Sequence, residues 1–245
     1  MFALIEARLA EHPLVPLAVF RRRSLAAANG VSLAIGGSIF SLFFFLSLYL
    51  QQINGYTPLK AGLAFLPLGL SILAAALLAV RLVARLGARR QLVSGLLLVA
   101  GGLVWMTQLA PGDSYWPTVL LPELLCGTGF GLSFLPMTLG ATTGIPPQHA
   151  GLASGLVTTT RQVGGAIGLS VAVAAAAAVH ARSITHQAIA AAATSGYDRA
   201  FGISAGVLVA GALAALFLPA QLGVAQASAP TSEFPGRGAA VAARS

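Results

Sequence analysis

What most limits this chain is its division into long, nearly uninterrupted apolar runs separated by short polar punctuation. A helix that crosses a bilayer needs about 20 predominantly apolar residues. Six stretches meet that length, at about 27–50, 59–80, 91–109, 116–139, 152–179 and 200–218. The runs are too long and too unalternating for barrel strands, and backbone in lipid must satisfy its own hydrogen bonds. The expected fold class is therefore an all-α membrane protein, a bundle of six transmembrane helices. Composition agrees, with 57% hydrophobic and 8% charged residues, far from the mix of a soluble domain.

Turn chemistry falls between the runs, at Asn54-Gly55-Tyr56-Thr57-Pro58, Pro111-Gly112-Asp113, Pro146-Pro147 and Ser195-Gly196. Residues 1–26 read as a cytoplasmic or interfacial lead-in. Glu6, Arg8, Glu11, His12 and two prolines stand where a signal peptide would need its apolar core. Residues 219–245, rich in Ala, Ser, Gly and Pro, read as a disordered cytoplasmic tail.

Orientation follows from the 14 Lys and Arg residues, because basic loops are retained in the cytoplasm. With the amino terminus inside, the cytoplasmic side holds Arg8, Arg21, Arg22, Arg23, Arg81, Arg85, Arg89, Arg90, Arg237 and Arg244. The other side holds only Lys60, Arg182 and Arg199. Both termini are thus expected in the cytoplasm, with the chain multi-pass in the plasma membrane. Tyr49, Tyr56, Trp105, Tyr115 and Trp116 fall near the outer ends, where interfacial aromatics belong.

Several function classes are excluded. The net charge of +8 is scattered between apolar runs and builds no groove-reading surface, so no nucleic-acid partner is expected. The single cysteine, Cys126, can form no internal disulfide, and His12, His149, His180 and His186 lack ligand-like spacing, so no metal is expected. There is no Ser/His/Asp set, no H-E-x-x-H and no G-x-x-x-x-G-K-[ST]. The chain does not read as an enzyme, no cofactor is expected, and active transport would have to draw on an ion gradient or on a partner.

Four features carry candidate chemistry. In GIPPQHAGLASGLVTTTRQVGGAIG, residues 144–168, Arg161 and Gln162 stand inside a long apolar helix. Thr158 and Arg161 share a face with Ser154, Gly165 and Gly168. Two readings are open: a guanidinium facing a neighbouring helix or a water-filled path, or one that snorkels to the cytoplasmic surface. Gly151 with Gly155, and Gly164 with Gly168, form G-x-x-x-G pairs suited to close helix packing. Glu123 is an intramembrane acid placed two turns inside the fourth run, with Gly127 and Gly131 on its face. It reads either as a proton or cation carrier or as a seal at the outer mouth. RLVARLGARR, residues 81–90, is a tight basic loop in which Arg85, Gly87, Arg89 and Arg90 either follow the positive-inside rule or act as a gate capping helix ends.

Taken in order, PLVPLAVFRRRSLAAAN, YLQQINGYTPLKAGLAFLP, RLVARLGARRQLVSGLLL, GTGFGLSFLP and HAGLASGLVTTTRQVGGAIG resemble the carboxyl-terminal half of a fourteen-span drug:proton antiporter of the EmrB/QacA type, within the major facilitator superfamily. The resemblance covers residues 13 to about 170. It implies one half of a major facilitator fold, entered from the cytoplasm, and proton-coupled export of amphipathic or cationic organic compounds. It also implies a second six-span or eight-span half, supplied by another copy or a separate chain, since such transporters rock two bundles about a shared site. The proton gradient would be the energy source, and lipid and small organic substrates the partners. Two departures stand out: Ala84 occupies about the place of the family's usual aspartate, and the half that carries the family's glycine-proline motif is not in this sequence. The alternative reading is a non-transporting remnant, or a regulatory partner of a full-length pump.

Overall fold

The computed structural model describes residues 23–143, 145, 147–183 and 189–216. The expected disordered tail and all but the end of the lead-in lie outside these residues. Helix α1 spans Arg23–Leu48 and continues through a π-helical turn, Tyr49–Ile53. Then follow α2 (Pro58–Ala64), α3 (Leu66–Leu86), α4 (Ala88–Met106), α5 (Tyr115–Thr118), α6 (Leu120–Thr142), α7 (Pro147–Ser183) and α8 (Ile189–Ala215). Five segments are long and apolar enough to cross a membrane: Ser24–Ile53, Pro58–Leu86, Leu120–Thr142, Ala150–Val179 and Ala193–Ala215. The third expected run corresponds to α4, which is not among the five. It is 19 residues long and opens on Ala-Arg-Arg-Gln, which dilutes its apolar length.

Local chemistry accounts for the element ends. Thr57 caps α2, its hydroxyl accepting from the Lys60 N–H, and Pro58 opens the first turn where no donor is needed. The break between α2 and α3 at Phe65 precedes Pro67, which cannot continue an upstream helix without losing a hydrogen bond. Between α3 and α4 the connection is one residue, Gly87, at φ 79° and ψ 150°. A side chain is strained there, and glycine is not.

Two boundaries differ from the sequence expectation. The fourth span starts at Leu120, not near residue 116, because Trp116 is extended (φ −98°, ψ 125°), as the residue before a proline tends to be, here Pro117. The last helix starts at Ile189, well before residue 200. Ser195-Gly196, expected as a turn, is helical; Gly196 lies against the Ala176 carbonyl of α7, where a Cβ would stand 2.8 Å away.

Within the bundle, α6 and α1 lie side by side, α3 docks on α6 and α7 on α1, and α4 and α8 close the back. Glycines set the approach. Gly36 and Gly37 of α1 meet the backbone of α7 at Arg161, Gly164 and Gly168. Gly95 and Gly102 of α4 meet α6 at Gly129, Ser133, Pro122 and Cys126. Gly127 and Gly131 admit α3 at Leu68, Ser71 and Ile72. With little difference in apolarity between lipid and side chain, such close backbone packing is what holds helices together. Hydrogen bonds tie α1 to its neighbours: Ser32 donates to the Val157 carbonyl (2.6 Å), Thr160 to Asn29 Oδ1 (2.7 Å) and Ser38 to the Ser204 carbonyl (3.2 Å).

Pro136 inside α6 lacks the N–H that would bond the Leu132 carbonyl, four residues back. Gln91 of α4, fully buried, donates to that carbonyl at 3.1 Å and so satisfies the group the proline leaves open.

Candidate functional site

One end of the bundle is a polar lattice. Tyr49 donates to the Ala110 carbonyl (2.8 Å) and Asn54 Nδ2 to the Asp113 carbonyl (3.3 Å). The Asp113 carboxylate accepts from the Ala110 N–H (2.9 Å), and the Lys60 ammonium rests 3.8 Å from the centre of the Tyr56 ring. Tyr115 Oη lies 2.8 Å from the Ala64 carbonyl and 3.0 Å from Glu123 Oε2. Burial, and then the charge of Glu123, hold the Tyr115 hydroxyl above its usual value, so it remains a donor. Glu123 is fully buried, and its Oε1 has no partner among the described residues. It stands in the first turn of α6, not two turns inside, because the Trp116-Pro117 break moved the helix start. A carboxylate there also faces the positive end of the helix dipole.

Asp198 is a functional candidate that sequence reading missed. The earlier start of α8 brings it and Arg199 into a helical segment, where Asp198 Oδ1 is buried without a partner among the described residues and Asp198 lines a cavity of about 660 Å³ with Ser195 and Arg199. The neighbouring Tyr197 donates to Gln52 Oε1 (3.3 Å), which joins α8 to the same end. The signal was the helix-favouring run Ala190–Ala193, which precedes the acid without a proline. All three described acids, Asp113, Glu123 and Asp198, are therefore at this end.

Arg161 is elsewhere. It lies eleven residues past Ala150, about 16 Å into its span. Its guanidinium carbon stands 5.3 Å from the centre of the Phe134 ring of α6, a cation–π distance. Among the described residues it pairs with no carboxylate. Thr158 and Gln162 are exposed beside it. The front between α3 and α7 also carries Phe40, packed by Gly165, and Phe43, stacked on Phe65 at 5.1 Å; both are 41% exposed.

In the expected gating loop, Arg85 and Arg90 are exposed. Gly87, Arg89 and Arg90 line a cavity of about 680 Å³ that reaches Leu216. Gly164 and Gly168 pack on Leu33 and Gly37, whereas at Gly151 and Gly155 a Cβ would meet nothing within 4 Å. That pair is therefore not a packing site within this bundle, because both glycines are exposed on the outward face of α7.

The Major Facilitator Superfamily model matches residues 3–169, more than half of the chain. The chain belongs to the major facilitator superfamily. Relatives within it include the cephamycin export protein CmcT of Amycolatopsis lactamdurans, 38% identical over 171 residues. That match covers 69% of this chain and 35% of the relative. The puromycin resistance protein pur8 of Streptomyces alboniger is 36% identical over 228 residues, covering 89% of this chain and 44% of the relative. The tetracycline resistance determinant of Streptomyces rimosus is 33% identical over 172 residues, covering 70% and 49% respectively. The chain thus spans between about a third and a half of these relatives. They are transport and resistance proteins, and the helical membrane bundle described above fits that family.

Proposed function

We propose that this chain is one bundle of a drug-export transporter, working with a second bundle supplied by the rest of a longer polypeptide, a separate chain or another copy. The observation that carries this reading is the uncovered front. In the spans Pro58–Leu86 and Ala150–Val179 only 17% and 22% of the apolar window is buried inside the bundle, against 61% for the spans of α1 and α6 between them. Leu66, Leu70, Leu73 and Leu77 form an exposed apolar row on α3, while on α7 Thr158 and Gln162 are exposed beside Arg161. An apolar row beside a polar face suits a second bundle across a substrate path. The names of the relatives, export and resistance proteins for antibiotics, support an amphipathic organic substrate. The bundle lies in the plasma membrane with both termini cytoplasmic, a reading supported by Arg81, Arg85, Arg89 and Arg90 at the end opposite Asp113 and Glu123. Glu123 is the proposed proton carrier, since it is an acid held by a single phenol at the mouth of a span.

The test is dye export from a drug-sensitive host expressing this chain together with an amino-terminal bundle. Export that collapses when the proton gradient is dissipated is the expected result. Absence of export of any dye with both halves in the membrane would overturn the proposal and leave the non-transporting reading.

A further inference from the structure

We propose that the gap between α6 and α7 at Arg161 recognises the acidic group of an amphipathic aromatic anion, a carboxylate or sulfonate, so that the transported class is anionic. This deepens the export reading and rests on it. A charge about 16 Å into an apolar helical span is costly unless an opposite charge or strong acceptor meets it. No described carboxylate fills that role. Glu123 is held by Tyr115 eleven residues before Phe134 on the same helix, about 16 Å away, and Asp113 and Asp198 lie at that same far end. What the structure does give Arg161 is the face of Phe134, which leaves the edge N–H groups of the guanidinium free to donate.

The surroundings complete an amphipathic site. Thr158, one turn away on the same helix face, is exposed, and so is Gln162. Across the gap Thr138 of α6 is exposed, its hydroxyl donating to the Phe134 carbonyl (3.0 Å). Phe40, Phe43 and Phe44, each about two-fifths exposed, leave aromatic surface open to an aromatic body, with one face of Phe43 already taken by Phe65. No described acid lies on this front, so a cation would meet only like charge. Of the two classes expected from sequence, amphipathic and cationic, the geometry therefore favours amphipathic compounds of opposite charge to the second class.

A matched pair of probes tests this: 1-anilinonaphthalene-8-sulfonate, and N-phenyl-1-naphthylamine, which is the same skeleton without the anion. Fluorescence titration uses the full chain in phosphatidylcholine nanodiscs, with empty nanodiscs as the partition control. The wild type is expected to bind the sulfonate saturably, and Arg161→Gln to weaken it by at least about tenfold while the neutral probe changes less than about twofold. Arg161→Lys, which keeps the charge but not the planar fork, is expected to fall between, and serves if the glutamine variant does not fold. Equal losses for both probes would mark a packing role and overturn the inference. So would sulfonate binding that ignores both substitutions, whether Arg161 is then idle or neutralised by lipid phosphate. Because binding is read without transport, a chain that binds the anion through Arg161 but exports nothing sinks the export reading alone. A chain that exports dyes while its anion binding ignores Arg161 sinks this inference alone.

Discussion

At the scale of single residues, the strongest constraints are buried polar groups with one partner each. Gln91 donates to the Leu132 carbonyl that Pro136 leaves open. Replacing it with Leu keeps the volume and removes the donor. Loss of about 1–3 kcal/mol is expected, the cost of a stranded buried carbonyl, measured as a lower midpoint of thermal unfolding in detergent. In the double variant Gln91→Leu with Pro136→Ala, the restored backbone bond should recover most of that loss. Among the described residues Tyr115 alone donates to the Glu123 carboxyl group. In an active assembly Glu123→Gln is expected to abolish the response of export to an imposed proton gradient while leaving dye binding intact; an unchanged response would remove Glu123 from the coupling path. Neither Asp198 nor the first-turn position of Glu123 was readable from composition. Both depend on where a helix starts, and Pro117 and the Ala190–Ala193 run set those starts through backbone geometry that an apolar count does not register.

At the scale of elements, helix pairs are fixed by where a Cβ is missing. A side chain at Gly36 would run into the Arg161 carbonyl, and one at Gly164 into the backbone of Leu33. Gly36→Val is expected to push α1 from α7 and destabilise the bundle by about 1–3 kcal/mol, the usual range for overpacking. Gly151→Val, by contrast, should leave the unfolding midpoint unchanged, because nothing stands within 4 Å of that position. The G-x-x-x-G spacing was legible in both pairs, but only the partner helix distinguishes them: Gly164 and Gly168 face Leu33 and Gly37, while Gly151 and Gly155 face outward. The existence of the long helices was legible because twenty apolar residues can satisfy their backbone in lipid in only one way. The exception is α4, whose two arginines sit in its first turn.

At the scale of the whole molecule, the front formed by α3, α6, α1 and α7 is the face that the proposed second bundle would cover. Cysteines introduced at Leu70 and Gln162, both exposed, should crosslink to an amino-terminal bundle co-expressed with this chain. Labelling by a lipid-dissolved maleimide, unaffected by that bundle, would instead mean that both faces meet lipid.

The repair of α6 by α4 has a mechanical side. A proline in a membrane helix is ordinarily a place to flex, yet here the carbonyl it frees is clamped from another helix, and α3 is joined to that second helix through a single glycine. The clamp then removes the joint that Pro136 would otherwise give α6. If the bundle moves in a transport cycle as proposed, α6 should turn with α4 as one piece, and amide exchange should stay slow at Leu132–Leu135 and at Met137, on both sides of the proline, in every state the cycle visits.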